Sequence, residues 1–134
     1  MAYFADTSFW IALLDKREKD AHDAAHVLKK KIGDDIVTSE LVLIELLAWF
    51  SDEGEHLRRL ACNLVKEIQK GPITQVAHTE DLFRRAFDWY ERVSNDKEWS
   101  LVDCASFEIM RDRGITLALT LDGHFREAGF TIET

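Results

Sequence analysis

Four carboxylates are set apart by their surroundings: Asp6, Glu45, Asp103 and Asp122. Asp6 closes the short apolar run Ala2-Tyr3-Phe4-Ala5, and Asp122 closes the run from Ile115 to Leu121. Both read as acids at the carboxyl ends of strands, where open parallel sheets place their ligand sites. Glu45 has Leu41, Val42, Ala48 and Trp49 as its neighbours one helical turn away, with Ile44 and Leu46 on either side. A carboxylate in that setting must reach water, take up a proton or meet a cation. No lysine or arginine occurs between Lys31 and Arg58, so a cationic partner has to come from elsewhere in the fold. Asp103 follows Ser100 by three residues, the spacing of a capping box, although that motif favours Glu or Gln at its last position. Each acid also has a plain structural use, as a turn or helix cap for the aspartates and as half of an ion pair for Glu45. Gathered in one place, four acids repel one another unless protons or a cation neutralise them. Hard oxygen donors without a Cys/His set favour Mg²⁺ or Mn²⁺ over Zn²⁺.

The elements that must position these residues alternate along the chain. Tyr3 to Ala5 read as a strand and Phe9 to Leu14 as a helix. Ala21, Ala24, Ala25, Leu28 and Ile32 form the apolar stripe of a second helix, closed by Gly33. Asp35 to Thr38 is strand-like, and Ser39 is a good N-cap for a helix from Glu40 to about Phe50. A helical stripe from Leu57 to Ile68 stops at Gly71-Pro72, before a strand at Ile73 to Ala77. Thr79 caps a helix marked by Leu82, Phe83, Ala86, Phe87 and Tyr90. A polar connection over 94–99 leads to a helix from Ser100 to about Arg113, closed by Gly114. Ile115 to Leu121 and Phe130 to Ile132 are the last strands. This alternation predicts a parallel sheet covered on both faces, in a single α/β domain over residues 1–134.

The chain has 134 residues, 46% hydrophobic and 31% charged, with one proline. That composition excludes collagen-like, low-complexity and disordered classes. Seventeen basic against 25 acidic residues leave a net charge of −8, so whole-protein attraction to nucleic acid is absent. A nucleic-acid function would need a local basic patch, a divalent metal or a basic partner. Two cysteines make no disulfide framework and suit a reducing, cytoplasmic setting. The first six residues carry no basic stretch ahead of the apolar run, which argues against a signal peptide. The most apolar run, Leu41 to Phe50, is too short to span a membrane and holds Glu45.

At the four acids the chain resembles the PIN-domain ribonucleases, in particular the VapC-like toxins of toxin–antitoxin pairs. Ala5-Asp6-Thr7-Ser8 resembles the first motif, and Thr38-Ser39-Glu40-Leu41-Val42-Leu43-Ile44-Glu45 the second. Ser100-Leu101-Val102-Asp103-Cys104-Ala105-Ser106-Phe107 resembles the third, and Thr120-Leu121-Asp122-Gly123-His124-Phe125 the fourth. The motifs occur in the family's order over essentially the whole chain, with Gly123 departing where a larger residue is expected. The resemblance implies a single PIN-like domain with a five-stranded parallel sheet sandwiched by helices, and endonucleolytic cleavage of RNA. It implies Asp6, Asp103 and Asp122 as ligands of Mg²⁺ or Mn²⁺, with Glu45 completing the catalytic set. Thr7, Ser8 and Thr120 become supporting hydroxyls. A cognate antitoxin protein and a homodimer are the implied partners.

Other features compete for attention. His22 and His26 sit four residues apart but lack the acid of a metalloprotease motif, and read as surface residues. His124 can touch substrate or simply occupy its loop. Arg58-Arg59, Arg84-Arg85 and Lys29-Lys30-Lys31 are solvated helix faces or phosphate contacts. Trp10, Trp49, Trp89 and Trp99 read as core or interface residues rather than base-stacking platforms. A haloacid-type phosphatase would want Asp-x-Asp where Asp6 is followed by Thr7-Ser8. The non-enzymatic alternative is a PIN-like module that only binds a partner, using Leu43, Leu47, Trp49 and Phe50 as a groove for an antitoxin helix.

Overall fold

The computed structural model describes residues 1–93 and 96–134. Five short strands, β1 (Tyr3–Ala5), β2 (Ile36–Ser39), β3 (Thr74–Val76), β4 (Leu117–Leu119) and β5 (Thr131–Ile132), pair in parallel in the order β3-β2-β1-β4-β5. The chain builds outward from β1 on one side through β2 and β3, then returns to the other side of β1 with β4 and β5. Strand order therefore reverses between β1 and β4, whose register sets Ala5 opposite Leu119. The residues that follow, Asp6 and the Thr120–Asp122 segment, leave the sheet side by side at this crevice.

Seven helices flank the sheet among the described residues: α1 (Thr7–Leu14), α2 (Lys19–Ile32), α3 (Glu40–Trp49), α4 (Glu55–Lys70), α5 (Glu80–Arg92), α6 (Leu101–Arg113) and α7 (His124–Glu127). The expected α/β architecture is present, and none of these helices is long and apolar enough to cross a membrane. The main core joins Phe4 of β1 to Phe9 and Trp10 of α1, Val42 and Leu46 of α3, Phe107 of α6, and Phe125 of α7. Side-chain caps fix where the helices start: Ser39 Oγ accepts from Val42 N at 3.1 Å, and Thr79 Oγ1 from Leu82 N at 3.1 Å. Such a cap is worth about 1 kcal/mol. Gly114, at φ 65°, closes α6 in the left-handed conformation that favours glycine. Trp10 Nε1 donates to Thr38 Oγ1 at 3.1 Å, and that hydroxyl donates to the Ala5 carbonyl at 2.9 Å. This buried relay ties α1, β2 and β1 together immediately before Asp6.

Element boundaries shift by a residue or two from the sequence expectation, most clearly around β4. The run Ile115–Leu121 contributes only Leu117–Leu119 to the ladder. At its start, Ile115 N bonds the Met110 carbonyl and so belongs to the end of α6. At its end, Thr120 and Leu121 turn their polar groups to the site. The single turn α7 was not foreseen, because four residues carry no readable helical period. Of the polar connection expected over 94–99, residues 94 and 95 lie outside the described residues, and 96–99 carry no helix or strand.

Candidate active site

One cavity of about 820 Å³ opens at the carboxyl ends of β1 and β4, and Asp6, Glu45, Asp103 and Asp122 all line it. Asp6 comes from the β1–α1 junction, Glu45 from the middle of α3, Asp103 from the first turn of α6, and Asp122 from the loop before α7. The four acids singled out by sequence are thus brought together by four separate elements.

Asp6 is the deepest, with 4% of its surface exposed. Its Oδ2 accepts a hydrogen bond from Thr120 Oγ1 at 3.0 Å, and Ser8 Oγ lies 3.1 Å from the same threonine hydroxyl. Ser8 Oγ in turn accepts from Leu121 N at 2.9 Å, and Thr120 Oγ1 from Asp122 N at 3.0 Å. Ser8 and Thr120 are therefore hydroxyls that lock the β4 loop onto the β1–α1 turn. Burial pushes the Asp6 carboxyl up from 3.8 to about 7, and the charges of Asp103 and Glu45 add to the rise. Hydrogen bonds from the Thr7 backbone and from Thr120 oppose it without prevailing.

Asp103 serves two purposes at once. Its Oδ2 accepts from Ser100 N at 3.0 Å while Ser100 Oγ accepts from Asp103 N at 3.1 Å, a reciprocal capping box. The same Oδ2 lies 2.9 Å from His124 Nδ1, and that nitrogen is 3.1 Å from Asp122 Oδ1. Burial raises the Asp103 carboxyl and the Asp122 charge adds to this, against the lowering hydrogen bonds from Ser100 and His124. For His124, burial pulls the pKa down, but the hydrogen bond to Asp103 and the charges of Asp122, Asp103 and Glu127 outweigh it and the net shift is upward. His124 is held in place from below: Phe125 packs edge-on against Phe107, and Trp99 Nε1 bonds Glu127 at 3.0 Å.

The donor set fits a divalent cation. Asp103, Asp122 and His124 each offer a ligand atom, all within 4.8 Å of one another. No lysine or arginine pairs with Asp6, Glu45, Asp103 or Asp122 among the described residues. Thr7, in the cavity wall and 5% exposed, carries a buried Oγ1 that meets no hydrogen-bond partner among those residues. Asp6 and Asp103, raised by burial with no lysine or arginine paired to them among the described residues, gain most from an ion of charge +2.

The structure also sorts the competing features. His22 and His26 bond the Ala12 and Leu13 carbonyls at 2.9 Å each, so their rings tie α2 to α1. Arg84 and Arg85 pair with Asp81, and Arg85 also reaches Glu108 and Asp112, so this cluster braces α5 on α6. Leu43 and Phe50 are buried in the core and cannot form a partner groove, whereas Leu47 and Trp49 are exposed. Two features escaped the sequence. Trp49 stands 55% exposed in the wall of the acidic cavity. Arg17, fixed by Asp15 at 2.7 Å and Glu53 at 3.4 Å, is the cavity's one lysine or arginine among the described residues. Neither carries a local pattern; only the packing of α1, α2 and α3 brings them to the cavity.

A crevice of acids at the reversal point of a five-stranded parallel sheet is the arrangement of a defined family. The PIN domain family model matches residues 3–131, and the chain belongs to the PIN domain family. Among curated proteins it is similar to the 23S rRNA-specific endonuclease VapC20 of Mycobacterium tuberculosis, from strains CDC 1551 and H37Rv alike. The identity is 35% over 132 residues, covering 95% of this chain and 94% of the relative. Among solved structures it is similar to Mycobacterium tuberculosis VapC20, described as a sarcin-ricin loop cleaving toxin. That match has a TM-score of 0.84 at 32% identity and covers 97% of both chains. These relatives are PIN-domain endonucleases acting as toxins, and PIN nucleases in general use a divalent metal.

Proposed function

We propose that this protein is a Mg²⁺- or Mn²⁺-dependent endoribonuclease that hydrolyses RNA phosphodiester bonds at the Asp6, Glu45, Asp103 and Asp122 site, as the toxin of a toxin–antitoxin pair. The observation that carries this reading is the convergence of four acids from four elements into one cavity, unpaired with lysine or arginine among the described residues. Asp6, Asp103 and Asp122 would hold the ion, which when bound would supply Lewis acidity at the phosphate and a nucleophilic water at neutral pH. Thr120 Oγ1 and the Thr7 backbone N–H aim the Asp6 carboxylate. His124 Nδ1–H lies between Asp103 and Asp122 and orients their facing oxygens. Glu45, in the same cavity, would bind the ion directly or through water, or help position the attacking water. No side-chain nucleophile takes part; burial pushes the nearby Cys104 thiol up to about 11, so it stays protonated.

The likeness to VapC20 supports ribosomal RNA as substrate, with a loop of the sarcin–ricin type as the first target to test. A cognate antitoxin holds the enzyme inactive by covering the cavity, and exposed Ile44 and Leu47 on α3 offer it apolar contacts. A homodimer buries the exposed stripe of α5, where Phe83 and Phe87 stack at 6.3 Å beside Tyr90. The site of action is the cytoplasm, where ribosomes reside and where free Cys62 and Cys104 remain reduced. Cleavage of ribosomal RNA with Mn²⁺, abolished by chelation and by Asp103→Asn, is the test. Cleavage that survives both removes the acidic site from the reaction.

A further inference from the structure

The catalytic acids occupy only part of their cavity. Ile11, Ala12, Ala21 and Trp49 line it as well, so it offers apolar surface beside the carboxylates. The cavity's volume of about 820 Å³ lies in the range that accommodates ligands much larger than a phosphate with its ions. Asp6, which anchors the acidic cluster, is almost fully buried, so a phosphodiester can approach it only by entering the cavity. A base beside the scissile phosphate that leaves its stack exposes a flat face that an aromatic side chain can cover as its new partner.

Trp49 is the residue in position to be that partner. It is a large aromatic on the last turn of α3, one helical turn after Glu45, and it keeps 55% of its surface in the open. An exposed indole gains nothing for the fold, in contrast to Trp10, which is fully buried and hydrogen-bonded. Arg17 lines the same cavity, more than half exposed, with its guanidinium held by Asp15 and Glu53.

We infer that Trp49 is a substrate-positioning residue that stacks on an unstacked base next to the scissile phosphate, selecting single-stranded or looped RNA over duplex. The inference rests on the proposed ribonuclease activity. Because the base is recognised by its face, the preference is for unpaired structure rather than for one base identity.

The test is steady-state cleavage of a synthetic sarcin–ricin stem-loop RNA by wild type, Trp49→Ala, Trp49→Leu and Trp49→Phe, with Mn²⁺ affinity measured for each. Stacking on an aromatic side chain is worth roughly ten- to a hundredfold in binding. The expected result is a rise of that size in KM for Trp49→Ala and Trp49→Leu, recovery in Trp49→Phe, and unchanged Mn²⁺ affinity throughout. Trp49→Ala cleaving like wild type overturns the inference, as does Trp49→Leu recovering as well as Trp49→Phe, since either removes the need for a flat ring. Trp49→Ala that cleaves normally but escapes its antitoxin assigns the residue to the antitoxin instead and overturns it too. A wild type that binds Mn²⁺ yet cuts no RNA overturns the ribonuclease reading, and this inference with it.

Discussion

The acid that makes the site also weakens the metal-free fold, and replacing it exposes that cost. Asp6 moves from 3.8 to about 7 on folding, so the native state holds its proton more tightly than the unfolded chain does. The stability contributed by this group is therefore greatest below pH 4, falls as pH rises toward 7, and stays lost above that. The separation corresponds to about 4 kcal/mol, at 1.36 kcal/mol for each tenfold step. Asp103 is shifted the same way, and His124, also raised, loses its contribution as pH climbs past its ordinary range, so all three slope in one direction. Asp6→Asn removes the largest of these penalties while keeping a carbonyl oxygen for the Thr120 hydroxyl. In EDTA at pH 8 the variant should be more stable than wild type by about 2 to 4 kcal/mol, and at pH 4 the two should coincide. Urea unfolding followed by circular dichroism across this range reads the difference. Mn²⁺ at about 1,000 times its dissociation constant should close this gap, because it adds about 4.1 kcal/mol to a native state that binds it. An Asp6→Asn protein less stable than wild type at pH 8, or a wild-type stability that does not fall between pH 4 and 7, would refute the burial argument.

Other expectations follow from the same geometry. Asp103→Asn should lose cleavage by more than roughly a hundredfold, since even residues that only orient metal ligands cost 10- to 100-fold. It should still fold, losing about 1 kcal/mol from the capping box in thermal melts. Thr120→Val removes a hydrogen bond that holds Asp6 down, so the acid limb of the pH–rate profile should move to higher pH, with activity at pH 7 reduced roughly tenfold and partly recovered at pH 8.5. Phe87→Glu, on the exposed stripe of α5, should shift sedimentation from dimer to monomer without altering the melting temperature of the monomer; an unchanged sedimentation profile moves the dimer interface elsewhere.

Much of the site was legible because its residues sit where local rules already place them. Asp6 and Asp122 follow strands, and a parallel sheet carries such residues to one crevice whatever their other contacts. Asp103 reads as a cap from its spacing to Ser100, with a ligand role implied by the resemblance, and it is bonded as a cap while lining the cavity. The run Ile115–Leu121 was overextended because apolar character continues past the ladder, whereas Thr120 and Leu121 are spent on hydrogen bonds to Asp6 and Ser8. For Trp49 the sequence leaves core and interface both open, and the structure leaves it exposed in the cavity wall. Its helix is apolar nearly all round, so periodicity could not tell the core positions Val42, Leu43 and Leu46 from the exposed Ile44, Leu47 and Trp49. Arg85 likewise reads as half of a basic pair, and only tertiary packing commits it to Glu108 and Asp112.

The most direct test of the account maps the ends of ribosomal RNA fragments produced by the purified protein, with Mn²⁺ or EDTA, beside Asp6→Asn and Asp103→Asn. Wild type with Mn²⁺ should make a discrete cut that is absent with EDTA and absent in both variants. The same cut made in EDTA, or made by either variant at the wild-type rate, would contradict it.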